Sequence, residues 1–140
     1  MIAQRLEAVR QHIADACHRA GRPSSAVTLI AVTKGVPAER VREAVAAGVT
    51  DVGENRVQEA LEKQHALSID DCRMSIETKT KSTIENRQSK IPDGSSVRWH
   101  LIGHLQRNKA SVAARAFAMI HSVDSLALAQ ALDRHRQGTA

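Results

Sequence analysis

Aromatic side chains are nearly missing from this sequence: among 140 residues there are Trp99, Phe117 and no tyrosine. A core must therefore be built from Ala, Val, Leu and Ile. A surface that holds single-stranded nucleic acid by stacking its bases has no platform. Cysteine is scarce too, and Cys17 and Cys72 show neither close spacing nor a metal pattern. His12, His18, His65, His121 and His135 share no metal-ligand spacing, so no zinc or iron site is expected. No apolar run approaches membrane-spanning length. The opening "MIAQRLEAVRQHIADACHRAG" carries acids and does not read as a signal peptide, so a reducing cytoplasm is the expected compartment. A glycine-rich phosphate loop and a dinucleotide fingerprint are also missing.

What is present is ordinary for a single domain, with 42% apolar and 25% charged residues and enough chain for a core. The net charge of +5 favours anionic partners such as phosphates. The basic residues are interleaved with acids, however, which reads as a solvated surface and not as a nucleic-acid face.

Periodicity divides the chain into alternating elements. Residues 2–20 read as a helix, with Ile2, Leu6, Val9, Ile13 and Ala16 at spacings of three and four, closed by Gly21. "AVTLIAVT" (26–33) is a continuous aliphatic and β-branched run, as in a strand covered on both faces. A helix follows over 37–48, from Pro37 to Gly48, then a short strand over 49–53 and a helix over 54–67. Residues 68–96 are polar, mixed in charge and aperiodic, ending in Pro92, Asp93 and Gly94, and read as a long surface excursion. Order returns with a strand over 97–103, a helix over 107–117, a strand over 118–123 and a helix over 124–137 begun by Asp124. Strands that alternate with helices predict an α/β fold with a parallel sheet and right-handed crossovers.

In closed barrels and open doubly wound sheets alike, functional residues collect at the carboxyl ends of parallel strands. Those ends carry Thr33-Lys34, Gly53-Glu54-Asn55, Gly103-His104 with Gln106 beyond, and Ser122-Val123-Asp124. Every polar cluster that interrupts an apolar run sits at such an end.

"AVTKGVPAERVREAVAAGVTDVGENRVQEALEK", "WHLIGHLQRNKA" and "IHSVDSLALAQAL" together closely resemble the pyridoxal 5′-phosphate homeostasis protein family. The resemblance covers nearly all of the chain except 68–96. It implies an N-terminal helix plus four βα units of a TIM-like barrel, the barrel of the alanine racemase N-terminal domain. Residues 1–140 would then be a single partial pyridoxal phosphate (PLP)-binding domain with a polar insertion at 68–96. It further implies that Lys34 forms a reversible Schiff base with PLP. Members resemble carriers that hold and release the vitamer, with no robust catalytic turnover and with PLP-dependent apoenzymes as recipients. Two departures stand out. The stretch 68–96 is longer than the usual connection, and the family's later strands, with the serine- and glycine-rich turn that cradles the cofactor phosphate, have no counterpart here.

The residues themselves leave alternatives open. Lys34 either snorkels to solvent, as many strand-end lysines do, or meets an aldehyde as a neutral amine, a form favoured where the strand's aliphatic residues exclude water. With the family motif intact around it, the nucleophile reading is preferred. Asn55 either orients a cofactor through its amide or caps the next helix. Glu54 either pairs with a lysine or starts that helix with favourable dipole sign. His100 and Trp99 point to opposite faces of their strand, and a histidine there is either a hydrogen-bonded core residue or a cofactor contact. Gly103 and Ser122 complete the set of expected cofactor-binding positions. Four strands with unpaired edges also suggest self-association. The alternatives are a racemase-like PLP enzyme, for which no residue is nominated as a second acid or base, and a truncated fragment without function.

Overall fold

The computed structural model describes residues 1–74 and 97–136. Helix α1 (Ile2–Arg19) leads into a 3₁₀ turn (Ser24–Ala26). Four strands follow, β1 (Ala31–Val32), β2 (Asp51–Glu54), β3 (Arg98–Leu101) and β4 (Met119–Ile120), interleaved with α2 (Ala38–Ala46), α3 (Val57–Met74), α4 (Ala110–Ala116) and α5 (Leu126–Arg136). Of the excursion expected at 68–96, residues 68–74 continue α3, and the remainder lies outside the described residues.

All strand pairings are parallel, and the strands lie in chain order, β1-β2-β3-β4. This order decides between the two architectures left open by sequence. Right-handed crossovers that always step the same way put every helix on one face, as in a barrel wall. A doubly wound sheet would reverse direction at a switch point. Consecutive helices accordingly pack on one another, α1 on α2 through α4 on α5.

Strand alternation then assigns the faces. Toward the helices point Ala31, Val52, Trp99, Leu101 and Ile120, which join Val41, Ala60, Leu67, Ala113, Phe117, Leu128 and Ala131 in the core. Both aromatics are buried there, and the rest of the core is aliphatic as composition required. Toward the other, open face point Val32, Asp51, Gly53, Arg98, His100 and Met119, with Ile30 and Ile102 flanking Gly53.

The strand expected over 26–33 needs correction. Only Ala31 and Val32 lie in the ladder, Ser24–Ala26 form the 3₁₀ turn, and Val27 and Val32 are exposed. An apolar run signals cover on both faces only when both covers exist; β1 is an edge strand with one face packed. The start of the third helix also moves, because Glu54 stays in β2 and α3 begins at Val57. The last helix is capped by Ser125, whose Oγ accepts the Leu128 N–H at 3.3 Å, and not by Asp124.

Candidate functional site

At the end of β1 the chain makes a tight turn. Thr33 O accepts the Val36 N–H at 3.0 Å, and Gly35 sits at φ 67°, a conformation that residues with a Cβ rarely adopt. Lys34 occupies the exposed corner of this turn. Among the described residues the aliphatic wall expected to keep water from it is not around it: the strand's apolar neighbours pack on the helix side, and none of them covers the open side. The β1–β2 ladder pairs Val32 with Gly53, and carrying that register two residues further sets Lys34 opposite Asn55.

Asn55, Gly103 and Ser122 are brought together. A Cβ built on Gly103 would lie 2.3 Å from Asn55 O and 2.7 Å from Asn55 Cα, so only glycine lets the ends of β2 and β3 approach this closely. On the far side, Ser122 Oγ donates to Gly103 O at 2.5 Å. The carboxyl ends of β2, β3 and β4 thus form one continuous polar rim, with the Lys34 turn beside it on β1.

His100 belongs to a second cluster, deeper on the open face. Asp51 Oδ2 accepts from Arg98 Nη2 at 2.8 Å and from Thr50 Oγ1 at 2.7 Å, while His100 Nε2 lies 2.8 Å from Asp51 Oδ1. His100 Nδ1 in turn lies 2.9 Å from His121 Nε2, and the two rings stack with centroids 5.2 Å apart. Burial alone would push the Asp51 carboxyl up, but the hydrogen bonds from Arg98, Thr50 and His100 outweigh it and hold the group below the usual aspartate range. An ionised carboxylate only accepts, so His100 Nε2 donates to it and Nδ1 is left to share a hydrogen with His121. Asp51, His100 and His121 therefore form a hydrogen-bonded chain that runs from a buried carboxylate to an exposed imidazole. Asp51 was not nominated by sequence, and His121 was read as lacking metal spacing and as part of the "IHSVD" motif, with no role assigned. The signal was their place on the strands, because Asp51, His100 and His121 share one sheet face.

Beneath the Lys34 turn, on the helix side, lies a buried charge network that sequence reading missed. Lys63, on α3, is 7% exposed, and Glu54 is fully buried. Lys63 Nζ donates to Glu54 Oε1 at 2.6 Å, to Glu59 Oε1 at 2.8 Å and to Thr33 O at 2.6 Å. Glu54 Oε1 also accepts from Thr33 Oγ1 at 2.5 Å, and Glu59 Oε1 accepts the Gly35 N–H at 2.7 Å. Burial works against the Lys63 charge, yet Glu54 and Glu59 outweigh it and hold the ammonium above the usual lysine range. Hydrogen bonds from Lys63 and then from the Gly35 N–H hold Glu59 below the usual glutamate range. Glu54 is thus the lysine-paired residue of the two readings considered for it. The spacing of Glu59 and Lys63, four apart on one helix, was the available clue.

Among the described residues no group of His, Cys, Asp and Glu is arranged to hold a metal. No described helix is long and apolar enough to cross a membrane. A cavity of about 590 Å³, lined by Leu6, Arg10, Ser25, Thr50 and Arg98 among others, opens at the amino ends of the strands, away from the Lys34 rim.

The strand-end rim offers an amine reachable from solvent, an amide opposite it by strand register, and a close backbone approach enforced by glycine. Known proteins bear on what that rim is for. No family model matches the chain. It is 38% identical over 135 residues to the pyridoxal phosphate homeostasis protein of Pseudomonas aeruginosa, covering 96% of this chain and 48% of that protein. It is similar to the structure of PipY from Synechococcus elongatus with PLP bound, at 41% identity and a TM-score of 0.66, covering 96% of this chain and 48% of that one. A protein from Bifidobacterium adolescentis superposes at a TM-score of 0.73 with 31% identity, over 95% of this chain and 48% of that one. The chain spans about half the length of the curated relatives it matches. Over 96% of its own residues, this chain matches the pyridoxal phosphate homeostasis proteins, and its sheet is part of their barrel-type fold.

Proposed function

We propose that this chain binds PLP reversibly through the Lys34 amine and serves vitamin B6 homeostasis as a carrier, without turnover of a substrate. PLP supplies an aldehyde that a primary amine captures reversibly. The chain supplies the amine on a hydrogen-bonded turn, with Asn55, Gly103 and Ser122 along the adjoining rim and His100 deeper on the open sheet face. The observation that carries this reading is the lysine held at the carboxyl end of β1 beside that rim, in a chain 41% identical to a protein whose structure has PLP bound. Asn55 offers both a donor and an acceptor to a polar ring. The exposed Val32 and Met119, and the edges of β1 and β4 that no described strand pairs, favour a second copy covering the open face and drying the Lys34 turn. The reading places the chain in the cytoplasm, delivering PLP to PLP-dependent apoenzymes, with residues 1–140 acting as one partial barrel domain.

Purified chain titrated with PLP should develop a visible absorption band that Lys34→Ala abolishes. A band of equal size in the variant would refute the assignment. A racemase-like reading has one observation in its favour: the Asp51–His100–His121 chain is a proton-holding group on the open face, which the sequence alone did not nominate. It predicts conversion of L-alanine to D-alanine by the loaded protein, lost in His121→Gln.

A further inference from the structure

The ammonium of Lys63 lies beneath Lys34 and touches the turn from the protein side. It donates to Thr33 O at 2.6 Å, and its partner Glu59 accepts the Gly35 N–H at 2.7 Å. Thr33 is held a second time, through its hydroxyl, by Glu54. The residues on both sides of Lys34 are thus clamped to one buried charge cluster, while among the described residues the Lys34 side chain has no hydrogen-bond partner. A turn on an edge strand would otherwise be tied down by little, since the β1 ladder contains two residue pairs.

We propose that Lys63 is a positioning residue for Lys34, fixing the 33–36 turn so that the exposed amine is presented to the cofactor. This rests on the reading of Lys34 as the PLP-bonding residue. The physical reason is preorganisation. Three short charge-assisted hydrogen bonds from Lys63 join the Thr33 carbonyl, β2 and α3, so the turn cannot shift without breaking a bond to a buried, ion-paired ammonium. A surface lysine could not do this, because a solvated pair contributes little and holds no single geometry. The site gains rigidity from a residue that need not contact the ligand.

The test compares Lys63→Met, Lys63→Arg and Glu59→Ala with the parent chain by two readouts. The first is PLP affinity from the absorption titration. The second, without cofactor, is hydrogen exchange at the Gly35 amide. Folded Lys63→Met should bind PLP at least tenfold more weakly and exchange the Gly35 amide at least tenfold faster, with Lys63→Arg recovering most of both. Glu59→Ala removes the Gly35 acceptor while Glu59 itself is only partly buried; it should weaken binding several-fold with the fold intact, and it decides the matter if Lys63→Met does not fold. Parent-like affinity in folded Lys63→Met or in Glu59→Ala, while the parent binds, overturns this proposal alone. A parent chain that takes no PLP overturns the functional reading and this proposal together.

Discussion

Among the described glycines, Gly103 carries the tightest constraint. A methyl group there would stand 2.3 Å from the Asn55 carbonyl oxygen, and backbone on both sides must move to admit it. Gly103→Ala should lose about 1–3 kcal/mol by overpacking, read as a lower urea midpoint, and should loosen the Asn55–Ser122 rim. An unchanged midpoint would mean that the strand ends separate freely. Asp51 sets a pH dependence. Its folded-state pKa is depressed, so the stabilisation it contributes is complete above its unfolded value of about 3.9 and is lost as pH falls through the lower folded value. Urea midpoints should therefore fall as pH drops below about 4, and Asp51→Asn should be less stable at neutral pH and flatter over that acid range. An acid limb identical in the two proteins would contradict the network. At this scale sequence reading was uneven. His100 and Trp99 were correctly set on opposite faces, because strand alternation needs only one register. Lys63 was overlooked, because one long cationic side chain among charged neighbours looks like surface until the fold buries it.

Helix α3 shows what an element adds beyond its own periodicity. Its first turns deliver Glu59 and Lys63 to the end of β1, so the strand and the helix are joined by charge as well as by the packing of Ala60 and Leu67. Lys63→Met would leave Glu54 buried without its cation, and Glu54 Oε2 already lacks a partner. Breaking such a pair costs about 3–5 kcal/mol, so chemical denaturation should report a loss of that size. A loss under about 1 kcal/mol would place the pair in the class of solvated ion pairs. The Lys63 pKa is raised on folding, so its contribution is complete below the unfolded value of about 10.4 and is lost as pH rises through the folded value. The alkaline limb of stability should flatten in the variant. The order and kinds of elements were legible, because helices announce themselves at spacings of three and four and glycines mark their ends. The extent of β1 was not, since an apolar run does not say whether a second layer exists to cover it.

For the molecule as a whole, the sequential parallel order of the strands matters most. It gathers every carboxyl end of the described strands on one edge and puts the described helices on one sheet face, the other being open among the described residues. That face carries Val32 and Met119, each more than half exposed, beside the Asp51–His100–His121 chain. Sedimentation at rising concentration should show species heavier than the 15.2 kDa chain, and Met119→Lys should suppress them. A monomer at every concentration would leave the open face without a protein partner. Sequence motifs had already put the candidate residues at strand ends. They did not show that Asn55, Gly103 and Ser122 form one rim while His100 joins a separate proton-holding chain, because that division depends on which neighbours cross from strand to strand. The central claim, capture of PLP by one lysine, is tested most directly by borohydride fixation of the PLP-loaded chain followed by peptide mapping. The pyridoxyl label should fall on Lys34 alone; a label spread over several lysines, or absent from Lys34, would contradict it.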